Sequence, residues 1–170
     1  RALAAARRAV DAMPMSQIAY SALATPLFFR RETEAFRNAA ERAVALNPMG
    51  GATIASMGSL LAYGGDWEQG CALVDRARQL NSQPPGWYWL ADGFNAYRKG
   101  DYHGALNAAL MFNTPGDFLM QAALASVYGQ LGDAEHALKA VRELQTGMPD
   151  AESTARDRLE KWFDPQLAGQ

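Results

Sequence analysis

Apolar residues recur along the chain at the three- and four-residue spacing of amphipathic α-helices, and short turn signals separate these segments. The pattern predicts a first helix at residues 3–12, followed by pairs of helices. The predicted pairs are 15–29 with 33–46, 51–63 with 67–80, 86–98 with 102–112, and 118–130 with 134–147. A last predicted helix, at about 151–162, is strongly charged, as is typical of a segment that caps a helical stack.

The turns between these helices recur at a constant interval. Pro14 precedes Pro48 by 34 residues, and Pro115 precedes Pro149 by the same 34 residues. Glycine readily adopts the left-handed conformation that ends a helix, and aspartate can cap the next helix. Such glycine–aspartate pairs lie midway between the proline turns, at Gly65-Asp66, Gly100-Asp101 and Gly132-Asp133. One helix–turn–helix unit is therefore predicted to repeat along the chain.

Small residues occupy equivalent positions in successive units, where they let helix axes approach closely. Gly58 lies in the first helix of one unit and Ala77 in its second helix. The later units place Trp89, Gly93 and Ala105, and then Ala125, Tyr128, Ala137 and Pro149, at matching positions. This pattern resembles the tetratricopeptide repeat (TPR) family. The resemblance implies an all-α, right-handed superhelix, a TPR solenoid of about four helix hairpins with a leading half-repeat and a C-terminal capping helix.

The same resemblance implies a single domain over residues 1–170. Its parts would be a half-repeat at 1–14, repeats at about 15–48, 49–82, 83–115 and 116–149, and the capping helix at about 151–162. The repeat at 15–48 diverges most, because Arg31 and Glu32 stand where other repeats have glycine and aspartate. Pro26 lies inside its first predicted helix and removes one backbone hydrogen bond, so we expect that helix to kink or split.

Four longer segments extend the resemblance to one group of repeat proteins. They lie at 84–89, 97–102, 128–132 and 159–162. Together they resemble the TPR regions of bacterial adenylate/guanylate cyclase-type or winged-helix transcriptional regulators. This resemblance implies that the chain, which opens in mid-helix at Arg1, is the sensory or scaffold part of a longer bacterial regulator that acts in signal transduction.

Composition and charge narrow the function further. The 16 basic and 18 acidic residues give a formal charge of −2, which argues against nucleic-acid binding. The single cysteine, Cys71, excludes an intrachain disulfide and a zinc cluster built from thiolates. No apolar run reaches the roughly 18–20 residues of a membrane span, and no signal peptide is visible. We therefore expect no cofactor, no metal, no membrane partner and a cytoplasmic location.

No catalytic constellation is visible in the sequence. The glycine pairs are predicted to be turns between helices, and no phosphate-binding loop is present. His103 and His136 fall at equivalent positions of successive second helices, but no third metal ligand accompanies them. We therefore predict no catalytic residues and a protein that is not an enzyme.

The TPR resemblance also implies a concave groove lined by the first helix of each pair. In that register, the inner positions hold Phe28, Phe29, Ser59, Tyr63, Trp87, Phe94, Tyr97, Arg98, Ser126 and Gln130. Aromatic and arginine side chains are enriched where proteins anchor their partners. We therefore expect this aromatic-rich groove to bind a protein or peptide partner. For each ring, the alternative is that it only packs between repeats.

Two other functions are compatible with the sequence. One is a structural or self-associating region, in which the half-repeat at 1–14 packs on another copy to form a homo-oligomer. The other is a small-ligand-binding groove roofed by Trp87 and Phe94. Some TPR domains bind a C-terminal carboxylate through lysine, asparagine and arginine in the groove. Here Arg98 is the only basic residue at those positions, so a more apolar ligand is expected.

Overall fold

A computed structural model of the protein describes residues 1–114, 117–147 and 161. Nine α-helices and one 3-10 helix lie within these residues, which include no β-strand. The α-helices are α1 (Ala2–Ala12), α2 (Gln17–Phe29), α3 (Thr33–Leu46), α4 (Gly51–Tyr63), α5 (Trp67–Gln79), α6 (Leu90–Arg98), α7 (Tyr102–Phe112), α8 (Phe118–Gln130) and α9 (Ala134–Gly147). The 3-10 helix, Gly86–Trp89, directly precedes α6.

These bounds agree with the predicted helices to within two residues, with one exception. The segment predicted as a single helix at 86–98 is divided between the 3-10 helix and α6. The predicted capping helix at 151–162 lies outside the described residues, apart from residue 161.

The chain divides into two compact units, one at Arg1–Pro84 and one within Pro85–Lys161. In the first unit, α2 pairs with α3 and α4 pairs with α5, while α1 packs on α2. Helix α4 also packs on both α2 and α3, so these two hairpins stack in chain order. In the second unit, α6 pairs with α7, α8 pairs with α9, and α8 packs on α7.

The turn inside each hairpin has one hydrogen-bond pattern. In the α4–α5 turn, the Gly65 N–H donates to the Ala62 carbonyl at 2.9 Å, and the Asp66 N–H donates to the Leu61 carbonyl at 3.0 Å. The turns that follow α2, α6 and α8 repeat this pair of bonds. The predicted left-handed glycines are confirmed by their positive φ angles, which are 100° at Gly65, 77° at Gly100 and 76° at Gly132.

The aspartate after each of these glycines caps the next helix, as the sequence predicted. Asp66 accepts a hydrogen bond from the Gln69 N–H at 3.4 Å, and Asp101 accepts one from the Gly104 N–H at 2.9 Å. Asp133 accepts one from the His136 N–H, and this backbone hydrogen bond lowers the pKa of the Asp133 carboxyl. Each cap satisfies an N–H group that would otherwise have no partner within the helix.

The α2–α3 turn keeps the same geometry without a glycine. The Arg31 N–H donates to the Phe28 carbonyl at 2.9 Å, and the Glu32 N–H donates to the Leu27 carbonyl at 3.1 Å. Arg31 therefore takes the left-handed position, with a φ of 58°. This conformation costs a residue other than glycine about 1–2 kcal/mol. The sequence predicted a turn between these helices but not its left-handed residue, because the glycine and aspartate that mark the other three turns are absent.

Two glycines bring the backbones of α4 and α5 into contact. A Cβ atom on Gly58 would lie 2.7 Å from the Gly70 carbonyl oxygen. A Cβ atom on Gly70 would lie 2.5 Å from the Gly58 carbonyl oxygen and 2.5 Å from the Ala62 nitrogen. The prediction that Gly58 occupies a close-packed position is therefore confirmed, and Gly70 is the matching residue on α5.

The expected split of α2 at Pro26 does not occur. Pro26 lies in the last turn of the helix, which ends at Phe29. Only the Ala22 carbonyl loses its N–H donor, and Ala22 is exposed, so water can reach that oxygen. The Arg30 N–H still donates to the Pro26 carbonyl at 3.1 Å, which continues the backbone ladder past the proline.

We predict that Gly70→Ala lowers the free energy of unfolding by about 3 kcal/mol, because the new methyl group forces α4 and α5 apart. Urea denaturation measures this change. Gly129→Ala is the matched control, since a Cβ atom at Gly129 meets nothing within 4 Å. The control should raise the free energy of unfolding by about 0.5–1 kcal/mol through helix propensity. Equal effects of the two substitutions would contradict the backbone contact.

We also predict opposite effects of exchanging residues at the left-handed turn positions. Gly132→Ala should lower the free energy of unfolding by about 1 kcal/mol, because the added Cβ strains the backbone. The space around that Cβ is open, so no clash contributes. Arg31→Gly should instead raise it by up to about 1 kcal/mol by relieving strain. A loss of stability with Arg31→Gly would mean that the arginine side chain contributes more than its backbone strain costs.

Candidate partner-binding surface

A tight backbone contact positions the start of the second unit. Pro85 is extended, with φ −56° and ψ 143°, and the 3-10 helix begins at the next residue, Gly86. A Cβ atom on Gly86 would lie 1.9 Å from the Phe112 carbonyl oxygen, so only glycine lets this segment lie against the end of α7. The Tyr88 N–H donates to the Pro85 carbonyl at 3.0 Å and closes the first turn.

Three consecutive aromatic residues follow Gly86, and they divide between the core and the surface. Tyr88 is 2 % exposed, and burial raises the pKa of its phenol. Trp87 and Trp89 are half-buried, and the Trp87 ring meets the Tyr88 ring edge-on at 4.4 Å. A 3-10 helix turns about 120° per residue and an α-helix about 100°. Trp87 lies three residues before α6. Its direction around the helix axis therefore differs by about 60° from the direction that it would have if α6 continued back to residue 87 as an α-helix.

One side of α6 combines aromatic rings with a cation. Phe94 and Tyr97 are half-buried and Arg98 is exposed. The Tyr97 ring lies 5.4 Å from the Tyr102 ring in an edge-on contact, which anchors it to the start of α7. The Arg98 Nε–H donates to Asn95 Oδ1 at 3.0 Å and so orients the guanidinium along α6. This side of the helix therefore presents partly exposed rings in fixed orientations beside a positive charge.

The two predicted groove residues on α8 are polar and exposed. Ser126 and Gln130 are four residues apart and share one face of the helix. The Ser126 hydroxyl donates to the Ala122 carbonyl at 2.9 Å, which leaves its oxygen able to accept. Helices α6 and α8 both pack on α7, so the two sets of predicted residues belong to neighbouring hairpins of the second unit.

The four predicted groove residues of the first unit are mostly inside it. Phe28 is 3 % exposed, Ser59 7 % and Tyr63 2 %, whereas Phe29 is 44 % exposed. The Phe28 ring meets the Phe36 ring of α3 edge-on at 5.4 Å, which agrees with the alternative that this ring packs between helices. The repeat register indicates which helix carries these residues, but it does not reveal which neighbouring side chains cover them.

Within the described residues, no group of three or more His, Cys, Asp and Glu side chains could hold a metal ion. One imidazole–carboxylate pair in the described residues is local, since His136 Nδ1 lies 2.7 Å from Oδ2 of Asp133, the residue that caps α9. None of the described helices is both long enough and apolar enough to cross a membrane.

Comparisons with known proteins identify the fold. No protein-family model matches the sequence, and no curated protein matches it either. One similar solved structure is that of PilW, described as a widely conserved type IV pilus biogenesis factor. The match covers 98 % of this chain and 79 % of PilW, with a TM-score of 0.78 and 16 % sequence identity. A second is YrrB, described as a TPR protein with an unusual peptide-binding site. That match covers 91 % of this chain and 81 % of YrrB, with a TM-score of 0.63 and 17 % identity.

At these identities, the likeness shows the fold alone. The chain has an all-α fold of the tetratricopeptide-repeat class, which confirms the fold class predicted from the 34-residue spacing of its turns. The expected relation to cyclase-type or winged-helix regulators is a finer statement, on which these two similarities have no bearing.

We predict that Ser59→Ala raises the free energy of unfolding by about 1 kcal/mol, because it removes a buried polar group that lacks a partner. The Ser59 hydroxyl has no hydrogen-bond partner among the described residues. Thermal or urea denaturation measures the change. Ser126→Ala is the control, and its effect should stay within about 0.5 kcal/mol because that side chain is exposed. A destabilising Ser59→Ala would indicate that the hydroxyl is satisfied in solution.

Proposed function

We propose that the chain is a polypeptide-binding module that holds a peptide or protein partner through the surface of the 3-10 helix and α6. The observation that carries this proposal is the set of partly exposed rings at Trp87, Phe94 and Tyr97 beside the exposed Arg98. Such rings gain contact area with a partner at a small cost in side-chain entropy, because they are already held by their neighbours. Arginine beside them supplies a charged donor that orients the bound chain.

The fold class supports this proposal. Stacked helical hairpins commonly present extended surfaces that accept a peptide. YrrB, which resembles this chain with a TM-score of 0.63, has a peptide-binding site by its own description. The catalytic alternative has less support, since the described residues contain no cluster of metal ligands.

The remaining predicted groove residues enter the proposal unequally. Ser126 and Gln130, which belong to the same unit as α6, are exposed and can add contacts to a partner. Phe29 is exposed in the first unit and is not part of the proposed surface. Phe28, Ser59 and Tyr63 are buried within the first unit, so they are not part of the proposed surface. The physiological setting that we propose is the sensory or scaffolding part of a longer cytoplasmic bacterial regulator, as the sequence resemblance implies.

Self-association is a second candidate function, and one observation favours it. Met13, Met15 and Ile18 are 54 %, 72 % and 76 % exposed, which is unusual for three large apolar side chains so close in sequence. Light scattering after size-exclusion chromatography distinguishes the two candidates. A dimeric mass that falls to that of a monomer in Ile18→Glu would support self-association, and a monomer at all concentrations would remove it.

We predict that Phe94→Ala and Tyr97→Ala each weaken peptide binding by at least about tenfold, the loss typical of an interface hot spot. Peptides selected on the purified chain from a random display library would serve as probes, and fluorescence polarisation would measure their Kd. Leu110→Ala is the matched control, because this α7 residue is a large apolar side chain that is 50 % exposed. Its Kd should stay within about twofold of the wild-type value.

Two experimental results would contradict the proposal. One is that no selected peptide binds the chain saturably. The other is that Leu110→Ala weakens binding as much as the α6 substitutions do, which would mean that the peptides bind exposed apolar residues without a defined site. Circular dichroism of each variant establishes that the helices are retained.

A further inference from the structure

An exposed methionine in the turn between α1 and α2 contacts an arginine of α3. Met15 is 72 % exposed, so its thioether is open to small reagents in solution. Its Sδ atom accepts a hydrogen bond from Nη2 of Arg42 at 3.5 Å, although the two residues are 27 positions apart in the sequence. A thioether sulfur is a weak acceptor, whereas a guanidinium N–H is a strong, charged donor. The contact therefore pairs a strong donor with a poor acceptor.

An aromatic ring holds the guanidinium in this position. The Cζ atom of Arg42 lies 5.9 Å from the centroid of the Tyr20 ring, which belongs to α2. A cation within about 6 Å of an aromatic face is attracted to the ring. The donor is thus positioned by α2 and α3 together, and the ring continues to hold it when the acceptor changes.

The backbone on both sides of the contact is also fixed. Ser16 caps α2 by accepting a hydrogen bond from the Ala19 N–H at 3.3 Å. Two further hydrogen bonds join the start of α2 to the end of α3. Gln17 Nε2 donates to the Asn47 carbonyl at 3.2 Å, and Asn47 Nδ2 donates to Gln17 Oε1 at 3.3 Å. A chemical change at the sulfur can therefore alter the contact without moving either helix.

We propose that Met15 is a modification site, at which a peroxide converts the thioether to a sulfoxide that the Arg42 guanidinium then binds. A lone pair of the sulfur takes the terminal oxygen of the peroxide, so the S–O bond forms as the O–O bond breaks. The sulfur is oxidised by two electrons, and hydrogen peroxide is reduced to water, which keeps both hydrogen atoms. The new oxygen is bonded to an atom that already lies 3.5 Å from Nη2, so it is within reach of the guanidinium.

The expected effect is the opposite of the usual effect of methionine oxidation. Oxidation commonly weakens a protein, because a polar oxygen enters an apolar contact. At Met15 the oxygen lies at an exposed side chain, and it replaces a weak hydrogen bond by a charge-assisted one. The turn between α1 and α2 is then tied more firmly to α3, so an oxidant should stabilise the first unit. This site is independent of the proposed function, because it does not involve α6.

The test compares the melting temperature, Tm, of the chain before and after treatment with hydrogen peroxide, and peptide mass spectrometry identifies each oxidised methionine. Peroxide also reaches other exposed methionines, so Met15→Leu is the reference, with a large apolar side chain but no sulfur. The change in Tm on oxidation should be about 2–4 °C more positive in the wild type than in Met15→Leu, as expected for one charge-assisted hydrogen bond in a chain of this size. Methionine sulfoxide reductases specific for the two sulfoxide epimers should together restore the starting Tm.

Two further variants separate binding by Arg42 from exposure alone. Arg42→Ala removes the donor, so its change in Tm on oxidation should equal that of Met15→Leu within about 1 °C. Met49 is the matched residue, because it is 70 % exposed and its backbone N–H bonds Asn47 Oδ1 in the turn after α3. Met49→Leu should therefore keep the wild-type change in Tm. Circular dichroism of each variant before oxidation establishes that the helices are retained.

Any of three results would overturn this assignment. The first is that Met15 stays unoxidised at a peroxide concentration that converts Met49. The second is that oxidation changes the Tm of the wild type and of Met15→Leu equally. The third is that Arg42→Ala gains as much as the wild type, which would mean that the sulfoxide acts without the guanidinium.

Discussion

The architecture depends on one reversal of the chain that occurs four times within the described residues. After the first helix of each pair, a residue in the left-handed conformation and the residue that follows it donate their N–H groups back to the last turn of that helix, and the second helix then begins at once. Because this reversal is short, the two helices of a pair pack against each other. Pairing alone does not bury all the apolar side chains of either helix, so each hairpin must also pack on another hairpin.

The first unit shows how closely this packing can bring the helices. Nine of the thirteen residues of α4 are buried, because α2, α3 and α5 all pack against this helix. Large side chains cannot fill all of these contacts, and the chain meets this constraint with Gly58 and Gly70 at the crossing of α4 and α5. The predicted groove residues Ser59 and Tyr63 belong to this helix, which accounts for their burial.

The sequence predicted the helices well, because their limits are chemically marked. Aspartate caps and turn glycines define where α5, α7 and α9 begin, and apolar periodicity defines their length. The 3-10 helix at Gly86–Trp89 was predicted as α-helix, because its apolar pattern does not reveal the contact of Gly86 with Phe112. The candidate site was less predictable. The repeat register predicts which helix and which helix face carry each residue. The exposure of each side chain depends on its packing against residues distant in the sequence, which a single sequence does not show.

Asp66 has a consequence for how the first unit loses its structure. The same carboxylate caps α5 through Gln69 and binds Arg37 on α3, so it belongs to two successive hairpins at once. Fraying of α5 at its first turn therefore also releases an arginine of the preceding hairpin. In a linear array of hairpins, a group that is shared by two neighbouring hairpins couples the local unfolding of one hairpin to that of the next. The hairpins α2–α3 and α4–α5 should thus unfold as one cooperative unit. The amide groups of both hairpins should then show similar protection from hydrogen exchange.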